Sequence, residues 1–278
     1  MKYLKLHLII LSGVTIYSLL FLFKLFPVKL NQPAQCAKPT ENSENISRII
    51  HQSWKSKVVP ELFKNLSKSW TNHCFKLWAY KFWTDEDNLN FIKNHYPWFL
   101  KKFNELPRPI YRADVSRYFY LYHYGGIYTD LDNECIRPFE HLLKNYSIVF
   151  GAMKGQYGGT SLKEGYVQNS FMYSRPKHSF WLEMIINILN SKSQTQPEAA
   201  TGPILLSKKI KSYLERNEMA KDMIVYPPHY FNPFSWLLLD NVLCKTHNRM
   251  SFKEYQKCKK SMTLKGAYVI QYHSHTWI

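Results

Sequence analysis

Residues Arg112–Asp132 read RADVSRYFYLYHYGGIYTDLD, with two arginines, three aspartates and a Gly-Gly pair inside one aromatic run. Val115, Phe119 and Tyr122 recur at i, i+4 and i+7, which predicts a helix from about Tyr111 to Tyr124 with one apolar face. Gly125-Gly126 ends it, because glycine takes the positive φ of a helix C-terminus without a steric penalty. Ile127–Leu131 then reads as a strand. Alternation along it puts Tyr128, Asp130 and Asp132 on one face and Thr129 and Leu131 on the other.

Those carboxylates carry the chemistry. Two neighbouring anions repel each other unless a cation lies near them. Oxygen donors suit a hard divalent ion, Mn²⁺ or Mg²⁺, with a diphosphate completing the coordination. In an α/β sheet the carboxyl end of a strand is where ligands bind. On the preceding helix Asp114 and Arg117 are three apart and share a face. They either pair with each other or reach a ribose hydroxyl and a phosphate.

Outward from this run, strands are expected at Arg48–Gln52, Phe75–Phe82, Ser147–Met153, Asp222–Tyr226 and Ala267–Gln271. Helices are expected at Ser179–Asn190 and Pro203–Glu215. Thr84 reads as a helix N-cap with Asp85, Glu86 and Asp87 in the first turn, so that acidic cluster is capping rather than metal binding. Strands alternating with helices predict an α/β fold with a largely parallel sheet.

At 278 residues, with 45% hydrophobic and 16% aromatic content, the chain has enough apolar surface for one sizeable domain. Lys2 and Lys5 precede an uncharged run from Leu6 to Phe23, long enough to cross a bilayer. The organisation expected is a short tail (1–5), a transmembrane signal-anchor (6–23), a polar stem (24–47) and a catalytic domain (48–278). Three glycosylation sequons, at Asn45, Asn65 and Asn145, favour the lumenal side. Cys74, Cys135, Cys244 and Cys258 suit two disulfides, with the pairing undetermined. Cys36 lies near the membrane and could bridge a homodimer. The formal charge of +17 suits an anionic partner such as nucleotide phosphates or lipid headgroups. No nucleic-acid motif or basic helix accompanies it, so no nucleic-acid partner is expected.

The run R-A-D-x-x-R-Y-x-x-L-Y-x-Y-G-G-I-Y-x-D-L-D resembles the sugar-nucleotide-binding segment of glycosyltransferase family 32. That family includes the inositol phosphorylceramide mannosyltransferases and the yeast Golgi initiating mannosyltransferase. The resemblance runs from Arg48 to Trp277 and implies the Rossmann-like GT-A fold. It implies that Trp54 stacks on the donor base, Asp114 and Arg117 contact ribose and the donor sugar or phosphate, and Asp130 and Asp132 bind metal. Asn169 matches a region lining the sugar pocket, where a polar residue capping a turn is an equal account. Thr201-Gly202-Pro203 matches a T-G-P element. The tail QYHSHTWI resembles one that closes over the diphosphate, with His273 and His275 as candidate further metal ligands and Trp277 beside the nucleotide.

The resemblance further implies a retaining, Mn²⁺-dependent (or Mg²⁺-dependent) transfer of a hexose from a nucleotide sugar to a glycolipid or glycan. GDP-mannose is favoured, and UDP-galactose, UDP-glucose and UDP-N-acetylglucosamine stay open. A single-pass type II protein of the Golgi or endoplasmic reticulum is expected. A glycoside hydrolase would need its carboxylates on opposite sides of a sugar. A non-catalytic carbohydrate-binding or scaffold protein would have no use for both aspartates.

Overall fold

The computed structural model describes residues 46–153, 166–191, 196–216, 221–234, 244 and 250–274, all within one compact unit, Glu41–Ile278. The expected membrane anchor, the stem up to 45, Cys36, Asn45, His275 and Trp277 lie outside the described residues. Among the described residues, no helix is long and apolar enough to cross a membrane.

The strands in chain order are β1 (Ile49–Ser53), β2 (Ala79–Trp83), β3 (Gly126–Thr129), β4 (Asn133–Cys135), β5 (Ile148–Met153), β6 (Tyr166–Ser174), β7 (Met223–Tyr226) and β8 (Val269–Gln271). The helices are α1 (Glu61–Ser69), α2 (Asp85–His95), α3 (Pro97–Glu105), α4 (Pro109–His123), α5 (Glu140–Leu143), α6 (Ser179–Asn190), α7 (Pro197–Ala200), α8 (Pro203–Arg216), α9 (Pro228–Phe231) and α10 (Phe252–Leu264). Six strands form one sheet in the order β2-β1-β3-β6-β5-β7, and β4 pairs with β8 in a separate ribbon.

The sheet is largely parallel, as expected, with one strand reversed. β1 runs parallel to β2 and β3, and β5 parallel to β7, but β6 is antiparallel to both its neighbours. Parallel neighbours need a crossover connection, whereas β5 and β6 adjoin in both chain and sheet. β6 is buried along its whole length. On its β5 side the register passes from Phe150–Met172 to Ala152–Val167, so Gln168–Phe171 bulge against Gly151 alone.

Helix α4 decides the packing. Instead of one apolar face it is buried nearly all round, from Tyr111 through Leu121, polar Asp114, Ser116 and Arg117 included. It lies between the sheet and the aromatic residues of α2, α3 and α6, Phe91, Phe99 and Trp181 among them. Gly125 and Gly126 take φ of +66° and +89°, as expected for its stop. A Cβ on Gly126 would run into the Ile49 carbonyl, so β1 approaches this turn only because glycine is there. Next to it His51 is fully buried. Trp83 Nε1 donates to its Nδ1 (3.1 Å) and its Nε2 meets the Gly125 carbonyl (2.9 Å). Burial holds its pKa down to about 3, so this histidine is a neutral strut between β1, β2 and the turn.

The Thr84 cap is present as a reciprocal capping box with Asp87, which accounts for the acidic cluster at the start of α2. Cys74 pairs with Cys135 and Cys244 with Cys258. Asn65, on α1, and Asn145 are exposed.

Candidate active site

The site gathers at the carboxyl end of β3. The strand stops at Thr129, and Asp130, Leu131 and Asp132 form a turn into β4 closed by Asn133 N–H to the Asp130 carbonyl (3.1 Å). The two aspartates therefore do not share a strand face, contrary to what the alternation predicted. A turn brings carboxylates together without requiring them to point in parallel. Its start is pinned from both sides: the Asp130 N–H donates to the Ser170 carbonyl (2.9 Å) and Gln52 Nε2 donates to the Asp130 carbonyl (3.2 Å).

Arg117 organises the surroundings. Its guanidinium meets Asp114 Oδ1 at 3.3 Å, Asp130 Oδ1 at 3.2 Å and the Asn169 carbonyl at 2.8 Å, and it stacks 4.5 Å over the Tyr128 ring. Asn169 returns an amide N–H to Asp114 Oδ1 (2.8 Å), and Thr201 Oγ1 donates to Asp114 Oδ2 (3.0 Å). Gly202 follows because a Cβ there would sit 2.8 Å from Glu198 Cα and 3.2 Å from Asp114 Oδ2. Asp114, Arg117, Asp130, Asn169 and the T-G-P element are thus one hydrogen-bonded assembly. Asn169 reaches it from the β6 bulge, not as a turn cap. Bulges re-aim side chains and carbonyls next to functional sites.

Burial separates the roles. The side chains of Asp114 and Arg117 are each 6% exposed and that of Asp130 31%, so only the last presents an open carboxylate edge. Asp114 and Arg117 are paired with each other and hold Asp130 in place. Burial pulls the Arg117 pKa down, but Tyr128, Asp130 and Asp114 together raise it above its ordinary value, so the guanidinium stays charged.

Burial pushes the Asp114 carboxyl up to about 6, against the opposing pulls of Arg117, Thr201 and Asn169. The folded chain therefore binds this proton before the unfolded chain does, at a pKa of about 4. The group favours folding most below that lower value, and the contribution is lost as pH rises through about 4 to 6. A carboxyl-carbon titration is expected to show one aspartate with a midpoint near 6 that disappears in Asp114→Asn. An ordinary midpoint for that resonance would contradict the burial argument.

At Asp130 burial again raises the pKa, Arg117 opposes, and Asp132 raises it further by like-charge repulsion. Tyr128 donates its hydroxyl to Asp130 Oδ1 at 2.7 Å. Asp132 Oδ2 accepts the Ser274 N–H (2.8 Å) and Ser274 hydroxyl (2.9 Å), while the Asp132 carbonyl accepts the Tyr272 N–H (3.0 Å).

The tail is arranged differently from the expected strand of alternating histidines. β8 ends at Gln271, and His273 lies beyond it with φ of +46°. Its Nε2 is 3.4 Å from the Phe234 carbonyl, with the ring edge-on to Phe234. Among the described residues, no three His, Cys, Asp or Glu side chains cluster as a metal site. Trp54 is half-buried just past β1, its N–H on the Trp83 carbonyl (2.9 Å) and its ring edge-on to Phe63 (5.7 Å).

Sequence reasoning missed Tyr128 and Gln52, which hold the turn, and Ser274, which clamps Asp132. Alternation places Tyr128 on the face of Asp130 without giving it a role; its hydroxyl is the donor that holds Asp130 Oδ1. Ser274 gives no local signal, because its partner is 142 residues away.

A glycosyltransferase sugar-binding region containing a DXD motif matches residues 60–149. Inositol phosphoceramide mannosyltransferase 2 of Schizosaccharomyces pombe is 38% identical over 69% of this chain and 52% of its own length. Inositol phosphoceramide mannosyltransferase 1 of the same yeast is 30% identical over 74% and 66%. A mannosyl phosphorylinositol ceramide synthase of Saccharomyces cerevisiae is 36% identical over 66% and 48%. This chain thus spans about half to two thirds of those relatives' lengths. Among solved structures, the PaToxG glycosyltransferase covers 80% of this chain and 88% of its own at TM-score 0.44 and 13% identity, too distant a likeness to carry an argument. The matched region includes Asp114, Arg117, Asp130 and Asp132, so the chain carries a glycosyltransferase sugar-binding region with a DXD motif.

Proposed function

We propose that the chain is a membrane-anchored, divalent-metal-dependent hexosyltransferase of the GT-A type. In this reading it moves mannose from GDP-mannose to an inositol-phosphate-bearing sphingolipid or related glycan. The observation that carries the proposal is the Asp130–Asp132 turn held from behind by buried Arg117. The relatives' names point to mannose and to a glycolipid acceptor. An antiparallel strand within an otherwise parallel sheet suits the GT-A architecture. The two disulfides suit the oxidising lumen of the Golgi or endoplasmic reticulum.

The donor set fits a divalent cation. Asp130 and Asp132 supply hard oxygen donors, and each destabilises the other's charge until a cation offsets it. On β6 the buried Gln168 Nε2 and Ser170 Oγ, either side of Asn169 in sequence, have no hydrogen-bond partner among the described residues. Bound Mn²⁺ or Mg²⁺ would offset charge on the leaving diphosphate.

The chain's own residues do the rest. Tyr128 and Arg117 hold Asp130 with its open edge toward the ligand, and the Ser274 clamp fixes Asp132. Trp54, at the same end of the sheet, offers a half-exposed ring for base stacking. Such preorganisation lowers the entropic part of the barrier. Retention of anomeric configuration, with the leaving phosphate taking the acceptor proton, is part of the proposal.

The test is release of free nucleoside diphosphate by the full chain, purified in detergent, from a panel of GDP- and UDP-sugars with Mn²⁺. Slow hydrolysis of GDP-mannose that stops with EDTA is the expected result. Turnover of a UDP-hexose instead would reassign the donor. No turnover of any donor, together with no nucleotide binding, would replace the transferase with a carbohydrate-binding or scaffold role.

A further inference from the structure

Glu134 lies on β4, two residues beyond Asp132, and is 4% exposed. Its carboxylate takes three donors. Tyr255 hydroxyl (2.8 Å) and Lys259 Nζ reach Oε1, and Tyr272 hydroxyl reaches Oε2 at 2.7 Å. Tyr255 and Lys259 are four apart on α10 and therefore share a face. Cys258, between them in sequence, ties the same helix to Cys244. Glu134 thus joins three parts of the chain: the strand leaving the aspartate turn, a cross-linked helix, and the segment after β8.

That last segment touches the proposed metal ligand. The main chain of Tyr272 donates to the Asp132 carbonyl, and Ser274 donates twice to Asp132 Oδ2. The Tyr272 ring is fully buried, so its hydroxyl fixes where that backbone runs. We propose that Glu134 is a positioning residue, which anchors Tyr272 so that Tyr272–Ser274 holds the Asp132 carboxylate in the orientation that the metal–diphosphate needs.

The Lys259 side chain is 33% exposed, so its ion pair with Glu134 is partly solvent-screened and contributes little net stability. What Glu134 adds is direction: two acceptor oxygens fix Tyr255 and Lys259 on one side and Tyr272 on the other. The inference rests on the transferase reading for its effect on metal, but not for the anchoring itself.

Two variants test it in the full chain. Glu134→Gln keeps the volume but turns one acceptor oxygen into a donor facing donors. Tyr272→Phe deletes a single hydroxyl and leaves the carboxylate paired with Lys259. For both, amide exchange at Tyr272 and Ser274 is expected to accelerate while exchange in β1 and β3 stays as in the wild type. The Mn²⁺ concentration for half-maximal donor hydrolysis is expected to rise about tenfold or more, the usual effect of losing a hydrogen bond behind a metal ligand. A merely structural residue would lower the thermal midpoint without moving the Mn²⁺ requirement at lower temperature.

Should Glu134→Gln fail to fold, Tyr272→Phe decides. A folded Tyr272→Phe with wild-type exchange at Ser274, or with an unchanged Mn²⁺ requirement, overturns the proposal. A wild-type chain that turns over no donor sinks the transferase reading instead, and the exchange comparison then decides the anchoring alone.

Discussion

Arg117→Met is expected to destabilise the domain by about 3–5 kcal/mol, the cost of breaking a buried ion pair from one side. The methionine fills the space but leaves Asp114 without its countercharge and Asp130 without one of its two donors at Oδ1. It also removes the donor to the Asn169 carbonyl, an acceptor stranded in the β6 bulge. Since native domains are stable by only about 5–15 kcal/mol, much of the protein should be unfolded or insoluble. Arg117→Lys should recover little, because an ammonium is a point donor and cannot present a planar fork to two carboxylates and a carbonyl at once. Adding Asp114→Asn to Arg117→Met should restore part of the loss, since the most buried unpaired charge is then gone. Urea midpoints of the single and double variants measure this. A single Met variant with a wild-type midpoint would mean that Arg117 is not the organising charge.

Asp132→Asn should do the opposite: little to stability and a great deal to function. The amide oxygen can still accept from Ser274, so the urea midpoint should stay close to that of the wild type. Relief of like-charge repulsion should bring the Asp130 pKa down, because Asp132 is one of the groups that raise it. Donor hydrolysis should fall by about 10²–10³-fold or more, the scale of losing one preorganised electrostatic contact to a transition state. The same variant with undiminished turnover would place the chemistry elsewhere in the sheet.

Much of this site was legible in the sequence because its parts are local. Gly125-Gly126, the i, i+3 pair Asp114–Arg117 and the D-x-D all lie within one short run, where helix stop and residue spacing carry the information. Thr84 and Asp87 were legible for the same reason: a capping box is written in four consecutive residues. The strand face was not, since nothing local distinguishes a strand that continues through Asp130 from a turn that begins there. The turn is imposed by long-range partners, Gln52 and the Ser170 carbonyl.

β6 was missed as a strand because its buried positions include Gln168, Asn169, Ser170 and Ser174. A strand buried on both faces normally reads as a continuous apolar run, and here the polar interruptions belong to the site. Helix α4 shows the same conflict. Its polar residues suggested a solvent face, yet Asp114 and Arg117 are buried because they neutralise each other. The clamp of Ser274 on Asp132 and the Glu134 anchor join residues more than 120 apart, beyond any periodicity in the chain.

Calorimetric titration of GDP into the full chain, with and without Mn²⁺, and into Asp132→Asn beside it, reads the metal–diphosphate site itself. Binding that needs both the metal and Asp132 is the expected result. Equal affinity in the absence of metal, or in the variant, would contradict a metal–diphosphate site at the Asp130–Asp132 turn.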